Sequence, residues 1–402
     1  MYKEFENHFD SINLDIRRLK DARFMDQKVT PDVLSIVADS VVNYIGSNVN
    51  VSFTKDDIWN DSYFNKNVKS IFNKPDAGNK TTAQEYDKFT SQPLRTLAFA
   101  KILELNKRNN KNYYTVNRPD LLEFIAMRER NAFVFLHSYL TKVLSDSGQL
   151  VYFNSFIKKG KENHLTQTDY VELKGRFTRF IIGNTAITKQ LEINRIFPKI
   201  LNIFSSQEYI RGSVKGRLSD RPIYYSDLMY NRPNFRDKNK EKSISRVESE
   251  SQEFISLDNI SKPYSDYLIQ KSMTLIKKLH ITSEVSDQWS SGEATQVHHI
   301  FPKSKFPSIA SYLENLIKLT PTQHFSKAHP SNRTDEIDID YQLVCLLAKS
   351  TTIEKSIIRG EFYYRKESFI HVINTGLKTN YNSNLSFLDI RNHLTLAYNR
   401  RK

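Results

Sequence analysis

The 402-residue chain has a single cysteine, Cys345, which rules out a disulfide within it and any cysteine-rich zinc knuckle. It has no run of about eighteen apolar residues, so a membrane-spanning helix of ordinary length is excluded. The first residues, Met1-Tyr2-Lys3-Glu4-Phe5-Glu6, are charged and lack the apolar core of a secretory signal, and the expected setting is a reducing cytoplasm. Internal repeats and long low-complexity tracts are missing as well. Positive charge is plentiful: 59 Lys and Arg stand against 45 Asp and Glu, a net charge of +14. With 39% hydrophobic and 12% aromatic residues the chain is folded rather than disordered, and its length suits two or three domains. The charge calls for an anionic partner. Nucleic acid fits best, because Lys and Arg contacts to phosphates release counterions.

Four of the ten histidines fall between Gln296 and Pro330. The stretch reads Gln296-Val297-His298-His299-Ile300-Phe301-Pro302-Lys303-Ser304, then Glu314-Asn315-Leu316-Ile317-Lys318-Leu319-Thr320-Pro321-Thr322-Gln323-His324, then Ala328-His329-Pro330. Thr295 to Ile300 is short and β-prone, and Pro302 with Ser304 starts a loop. Leu316 to Leu319 alternates apolar and polar residues, a second short strand. Thr320-Pro321-Thr322-Gln323 has the cap hydroxyl, the first-turn proline and the Gln of a capping box, so a helix is expected with His324 in its first turn.

Strand, loop, strand and helix, with His-His on the first strand, Asn-Leu at the start of the second and His in the helix, resemble the HNH nuclease motif of the ββα-metal fold. The resemblance implies roles residue by residue. His298 and His324 are implied as metal ligands, His299 as the general base that takes a proton from water, and Asn315 as the residue that holds the loop and orients His299. Imidazole suits the base role because it titrates near physiological pH. His329 is carried as a third candidate ligand, although five steps from His324 turn about 140° around a helix and Pro330 disfavours helical geometry before it. Resemblance to restriction enzymes implies Mg²⁺ as cofactor, with Mn²⁺, Ni²⁺ and Zn²⁺ the alternatives that imidazole ligands suit. Lys303 and Lys305 are candidates to hold the DNA strand nearby.

The rest of the chain is expected to be mainly α within an α+β class. Thr30-Pro31-Asp32 caps a helix with Val33, Ile36, Val37, Val41 and Ile45 on one face, and Phe53 to Trp59 is another capped start. These short helices suit a winged-helix or helix-turn-helix module, and a plain helical core explains the same pattern. Helices are further expected over Glu85 to Leu105, Arg118 to Ser147 and Thr166 to Phe204, with a polar loop at Asn106 to Asn112 and a basic turn at Lys158 to Asn163. Pro119-Asp120 with Glu172-Leu173-Lys174 resembles the other large nuclease signature, but its halves lie too far apart and both sit in helical sequence. Arg211 to Arg236 interleaves basic and aromatic residues, and Lys215, Arg217, Asn231, Arg232, Asn234 and Arg236 are the candidate DNA contacts there, since Arg and Asn read guanine and adenine edges. Gly212 and Gly216 are read as allowing close backbone approach to a phosphate. Ser243 to Ser256 is the expected hinge. Helices over Tyr264 to Leu279, Tyr341 to Ala348, Phe362 to Gly376 and Ser386 to Asn399 are expected around the histidine motif.

The expected organisation is a target-recognition region over residues 1–250, in one piece or as 1–150 and 151–250, followed by an HNH nuclease domain over 251–402. The motif is similar to those of HNH type II restriction endonucleases, and separate recognition and cleavage regions suit the type IIS arrangement. What this implies is metal-dependent hydrolysis of double-stranded DNA, a transient homodimer on DNA, a cognate DNA methyltransferase in the host and no membrane partner. Two alternatives stay open: a homing, nicking or modification-dependent HNH nuclease, or a DNA-binding protein with an inactive HNH domain.

Overall fold

The computed structural model describes residues 3–19, 23–72, 83–230, 262–328, 337–361, 363–382 and 384–399. The chain is mainly α, with three small two-stranded antiparallel sheets among the described residues, and divides into two compact units, Met1–Ser249 and Glu250–Lys402. No described helix is long and apolar enough to cross a membrane.

The first unit opens with α1 (Lys3–Asp10) and α2 (Ile16–Leu19) and is built around α3 (Pro31–Ile45). Eleven of the fifteen α3 residues are buried, which makes it a core helix rather than an amphipathic surface one. After it, Phe53 leads into α4 (Lys55–Asn60), α5 (Ser62–Phe72) and α6 (Ala83–Phe99). The cap at Thr54 is complete: its hydroxyl accepts from Asp57 N–H, and the Asp57 carboxylate takes the Thr54 N–H in return. At Thr30 the expected side-chain cap is not made, and the hydroxyl instead donates to Asp32 at 2.7 Å.

The helix expected to run to Leu105 stops at Phe99. A hairpin follows, of β1 (Leu103–Arg108) and β2 (Lys111–Val116), paired from Leu103↔Val116 to Arg108↔Lys111. Its two-residue turn, Asn109-Asn110, has φ of 48° and 60°, the left-handed pair that a tight hairpin turn requires and that Asn tolerates. The leucines at 103 and 105 were compatible with a continuing helix, and the Asn-Asn pair overrides them. Phe53 pairs with Tyr114 through N–H···O bonds of 2.9 and 2.7 Å, tying the hairpin to the segment before α4. The expected helix over Arg118 to Ser147 is broken at Arg128 into α7 (Pro119–Met127) and α8 (Glu129–Asp146), both packed on α3.

The basic stretch at Lys158 to Asn163 is the end of a helix rather than a free turn, α9 (Leu150–Lys161), followed by α10 (Gln167–Asn184) and α11 (Gln190–Gln207). A second hairpin, β3 (Arg211–Val214) and β4 (Arg217–Pro222), packs on α11 and α10. Two arginines of the expected DNA-contact stretch are engaged within this unit. Arg211 donates to the Leu165 carbonyl, and Arg221 pairs with Asp227 at 2.6 Å. Gly212 is a packing residue and not a phosphate cradle, because a Cβ there would lie 2.6 Å from Asn202 Oδ1 and 2.7 Å from Ile223 Cγ1.

The second unit begins with α12 (Lys262–Leu279), which lies over a hairpin of β5 (Gln296–His299) and β6 (Leu316–Leu319). Among the described residues three more α-helices follow: α13 (Ile339–Ile358), α14 (Lys366–Leu377) and α15 (Phe387–Asn399). The alternation over Leu316 to Leu319 would turn Lys318 outward, yet all four residues are buried. The Lys318 ammonium donates to the Lys277 and His280 carbonyls at 2.9 and 2.6 Å, capping the end of α12. Deeper still, Lys349 of α13 is 0% exposed and pairs with Glu284 at 2.7 Å. The expected hinge at Ser243 to Ser256 lies outside the described residues.

Candidate functional site

The β5–β6 ladder pairs His298 with Ile317 and His299 with Leu316, so both histidines ride on a short, fixed strand. Successive strand residues point to opposite sides, and the two rings accordingly find different surroundings. His298 is 4% exposed, and its ring lies 5.3 Å from that of His324, centre to centre, with planes at 74°. His299 turns the other way, its Nε2 lying 3.0 Å from the Ala310 carbonyl oxygen.

His324 is held by the local geometry expected of the Thr320 cap, in a different kind of turn. Thr320 N–H donates to the Gln323 side-chain oxygen at 3.0 Å, and Gln323 N–H donates to the Thr320 hydroxyl at 3.2 Å. The turn that follows, Gln323–Ala328, is wound as a π-helix. Gln323 does more than cap. Fully buried, it donates to the Val285 carbonyl and to Asp287, and accepts from the Ser283 hydroxyl at 2.6 Å, so it locks residues 283–287 against the turn that carries His324.

Asn315 is 0% exposed and spans the loop between the strands. Its Oδ1 accepts from Phe301 N–H at 2.8 Å, while its Nδ2 donates to the Phe301 and Ile309 carbonyls at 3.1 and 3.3 Å. Ala310, the residue whose carbonyl meets His299, directly follows Ile309, so Asn315 positions that carbonyl through the chain. Gln342 of α13 adds a second tie, donating to the Ile300 carbonyl at 2.7 Å and accepting from Tyr398 of α15 at 2.6 Å. Gln342 and Gly376, whose missing Cβ makes room for the Phe301 ring, were invisible in the sequence because their partners lie far away along the chain.

A carbonyl can only accept, so Nε2 of His299 carries the proton of that bond and Nδ1 keeps a lone pair. Burial pushes the His299 pKa below the ordinary imidazole value; the bond to Ala310 opposes this, and the Lys303 ammonium lowers it further. The ring is therefore neutral near pH 7 and able to accept a proton.

His298 Nε2 and His324 Nδ1 are both shielded from solvent. With metal–nitrogen bonds of about 2.1 Å and a ring radius of about 1.1 Å, two imidazoles sharing one cation at a tetrahedral angle have centres about 5.2 Å apart. The observed 5.3 Å fits a shared cation. Among the described residues no three His, Cys, Asp or Glu side chains converge on one point. His329 lies outside the described residues.

Of the candidate DNA contacts, Lys303 and Lys305 are exposed in the loop after β5, and Lys303 pairs with Asp266 of α12 at 2.8 Å. Lys215 and Arg217 stand exposed at the β3–β4 turn of the other unit, Arg217 within 3.6 Å of Asp220. Asn231, Arg232, Asn234 and Arg236 lie outside the described residues. The chain just before them is anchored: Tyr230 N–H donates to Asp32 at 3.0 Å, and the Lys28 ammonium sits 4.5 Å above the Tyr230 ring. No protein-family model matches the chain, and neither a curated protein nor a solved structure gives a significant match to it.

Proposed function

We propose that the chain is an HNH-type, ββα-metal endonuclease that hydrolyses duplex DNA at specific sites, acting as a type II restriction enzyme with the separate recognition and cleavage parts of the type IIS arrangement. The single observation that carries this reading is the pairing of roles on one strand: His298 meets His324 at a separation suited to one cation, while the adjacent His299 is held as a neutral base. His298 and His324 would hold the cation, for which Mg²⁺ is proposed by resemblance to restriction enzymes, with Mn²⁺, Ni²⁺ and Zn²⁺ the alternatives; the ring separation itself matches the tetrahedral angle that Zn²⁺ favours rather than the right angle of an octahedral Mg²⁺ shell. The bound cation supplies charge stabilisation at the scissile phosphate and the departing 3′ oxygen. His299 Nδ1 takes the proton from the attacking water, and Asn315 keeps the Ala310 carbonyl where it fixes the His299 tautomer. The chain order in the first unit, α3, Phe53, α4, α5, α6 and then a hairpin paired back to Phe53, supports a winged-helix form of target recognition.

The test is a gel assay of wild type and His299→Ala on unmethylated and methylated phage DNA with Mg²⁺, Mn²⁺ or EDTA, followed by sequencing of the ends. Discrete metal-dependent fragments from wild type, absent in the variant while DNA binding persists, are the expected result. Cleavage that survives His299→Ala sinks the assignment of the base. Binding without cleavage under every condition replaces the enzyme with a DNA-binding protein.

A further inference from the structure

We propose that the tip of the β1–β2 hairpin is a contact site for the sugar–phosphate backbone of duplex DNA. This rests on the reading of the chain as a duplex-DNA-binding protein and assigns part of the binding to Lys107, Arg108 and Lys111, none of which is among the candidate DNA contacts read from the sequence. Glu104 to Lys111 are exposed without interruption, and the hairpin carries Lys107, Arg108 and Lys111 against one carboxylate, Glu104. Six residues per strand at about 3.4 Å each give a reach of about 20 Å. The base of this arm is rigid. Leu103 and Tyr114 are 0% and 1% exposed, the Phe53 and Tyr114 rings stack at 5.9 Å, and the Ile102 carbonyl accepts from both Asn117 and Arg118 N–H.

Three features select a phosphate backbone as partner. First, Lys107, Arg108 and Lys111 form no ion pair with a described carboxylate, and the Arg108 guanidinium lies 5.8 Å from the Tyr113 ring. Second, Lys107 to Lys111 are all Lys, Arg or Asn, side chains that donate to phosphate oxygens. Third, that run holds no apolar residue, whereas protein interfaces have apolar, lysine-poor centres and surface-bound membrane anchors need apolar side chains. On this proposal the tip meets phosphate oxygens and not base edges. The three cations thus position the protein and do not specify sequence.

The experiment is fluorescence anisotropy with the full-length protein in EDTA, on a cleavable-site duplex and an unrelated duplex, across a salt series. Wild type is compared with Lys107→Gln, Arg108→Gln and Lys111→Gln, singly and together. At about 0.9 unit of log–log salt slope per phosphate contact, the triple variant should lose about 2.7 units, and each single variant about 0.9, equally on both duplexes. Circular dichroism melts matching wild type show that the exposed substitutions leave the fold intact. Wild-type binding with an unchanged slope in the triple variant overturns the hairpin assignment alone. A loss confined to one of the two duplexes also overturns it, as a base-reading contact. Failure of wild type to bind either duplex overturns the DNA-binding reading and the hairpin assignment together.

Discussion

Replacing Gly376 by alanine tests how tightly the loop after His299 is held. Gly376 lies within α14, where alanine ordinarily gains about 1 kcal/mol over glycine. A Cβ at this position, however, falls 2.3 Å from Cε1 of Phe301 and 2.4 Å from its Cδ1 and Cζ. Ordinary carbon contact is about 3.5–4.0 Å, so ring or helix must yield by more than about 1 Å. The ring has little room to do so: Phe301 is 1% exposed, meets Phe306 at 5.5 Å, and has its N–H and carbonyl held by Asn315. Overpacking of this kind costs about 1–3 kcal/mol, which reverses the sign expected from helix propensity. Urea unfolding of the full chain, followed by circular dichroism, should therefore show Gly376→Ala destabilised. Phe301→Leu in the same background should recover part of the loss, giving a coupling of about 1–2 kcal/mol in a double-mutant cycle. An increase in stability for Gly376→Ala, or simple additivity with Phe301→Leu, refutes the packing argument.

Asn315→Ala removes an acceptor and two donors from a buried loop and should cost about 2–4 kcal/mol. Asn315→Asp, which keeps the acceptor for Phe301 N–H, should slow amide exchange at Phe301 relative to Ala; equal exchange in the two variants counts against the assigned orientation. Lys349→Met leaves Glu284 buried without its ion-pair partner and should cost about 3–5 kcal/mol, with Glu284→Gln recovering part of it; a neutral effect in urea melts contradicts the pairing. Burial lowers the pKa of both His8 and His137. At His8 the Arg118 guanidinium, donating to Nδ1, also favours the neutral ring, while the bond from Nε2 to the Ala100 carbonyl opposes it. A pKa depressed in the folded state means that the unfolded chain binds more protons below about pH 6.5, so stability is complete above that pH and is lost as pH falls through the depressed values. The slope is at most about 1.4 kcal/mol per pH unit for each histidine. His137→Phe should flatten the melting-temperature profile between about pH 7 and 5, and an unchanged profile excludes His137 as a source.

Much of the local structure was legible because its causes are local. The Thr54–Asp57 and Thr320–Gln323 caps each close within four residues, and the buried face of α3 follows from the spacing of Val33, Ile36, Val37, Val41 and Ile45. His298, His299, Asn315 and His324 stood out together through order and spacing along one stretch. The misread elements were those for which local pattern allowed two outcomes. Leu103 and Leu105 fit a helix as well as a strand, and the left-handed Asn109-Asn110 turn, together with the pairing of Tyr114 with Phe53 some sixty residues away in sequence, favours the strand.

By itself, then, the sequence determined where the capped helices start, which faces are apolar, the excess of positive charge and the set of residues able to do chemistry, because these depend on neighbours within a turn or two of chain. Tertiary structure alone decided that Lys318 turns inward to cap α12, that Gly212 is a packing contact, that Gln323 and Gln342 brace the histidines, and that three cations gather at an exposed hairpin tip. The first three are set by partners distant in sequence, and burial or exposure at such positions, as along the hairpin, is a property of the packed chain that no local spacing encodes.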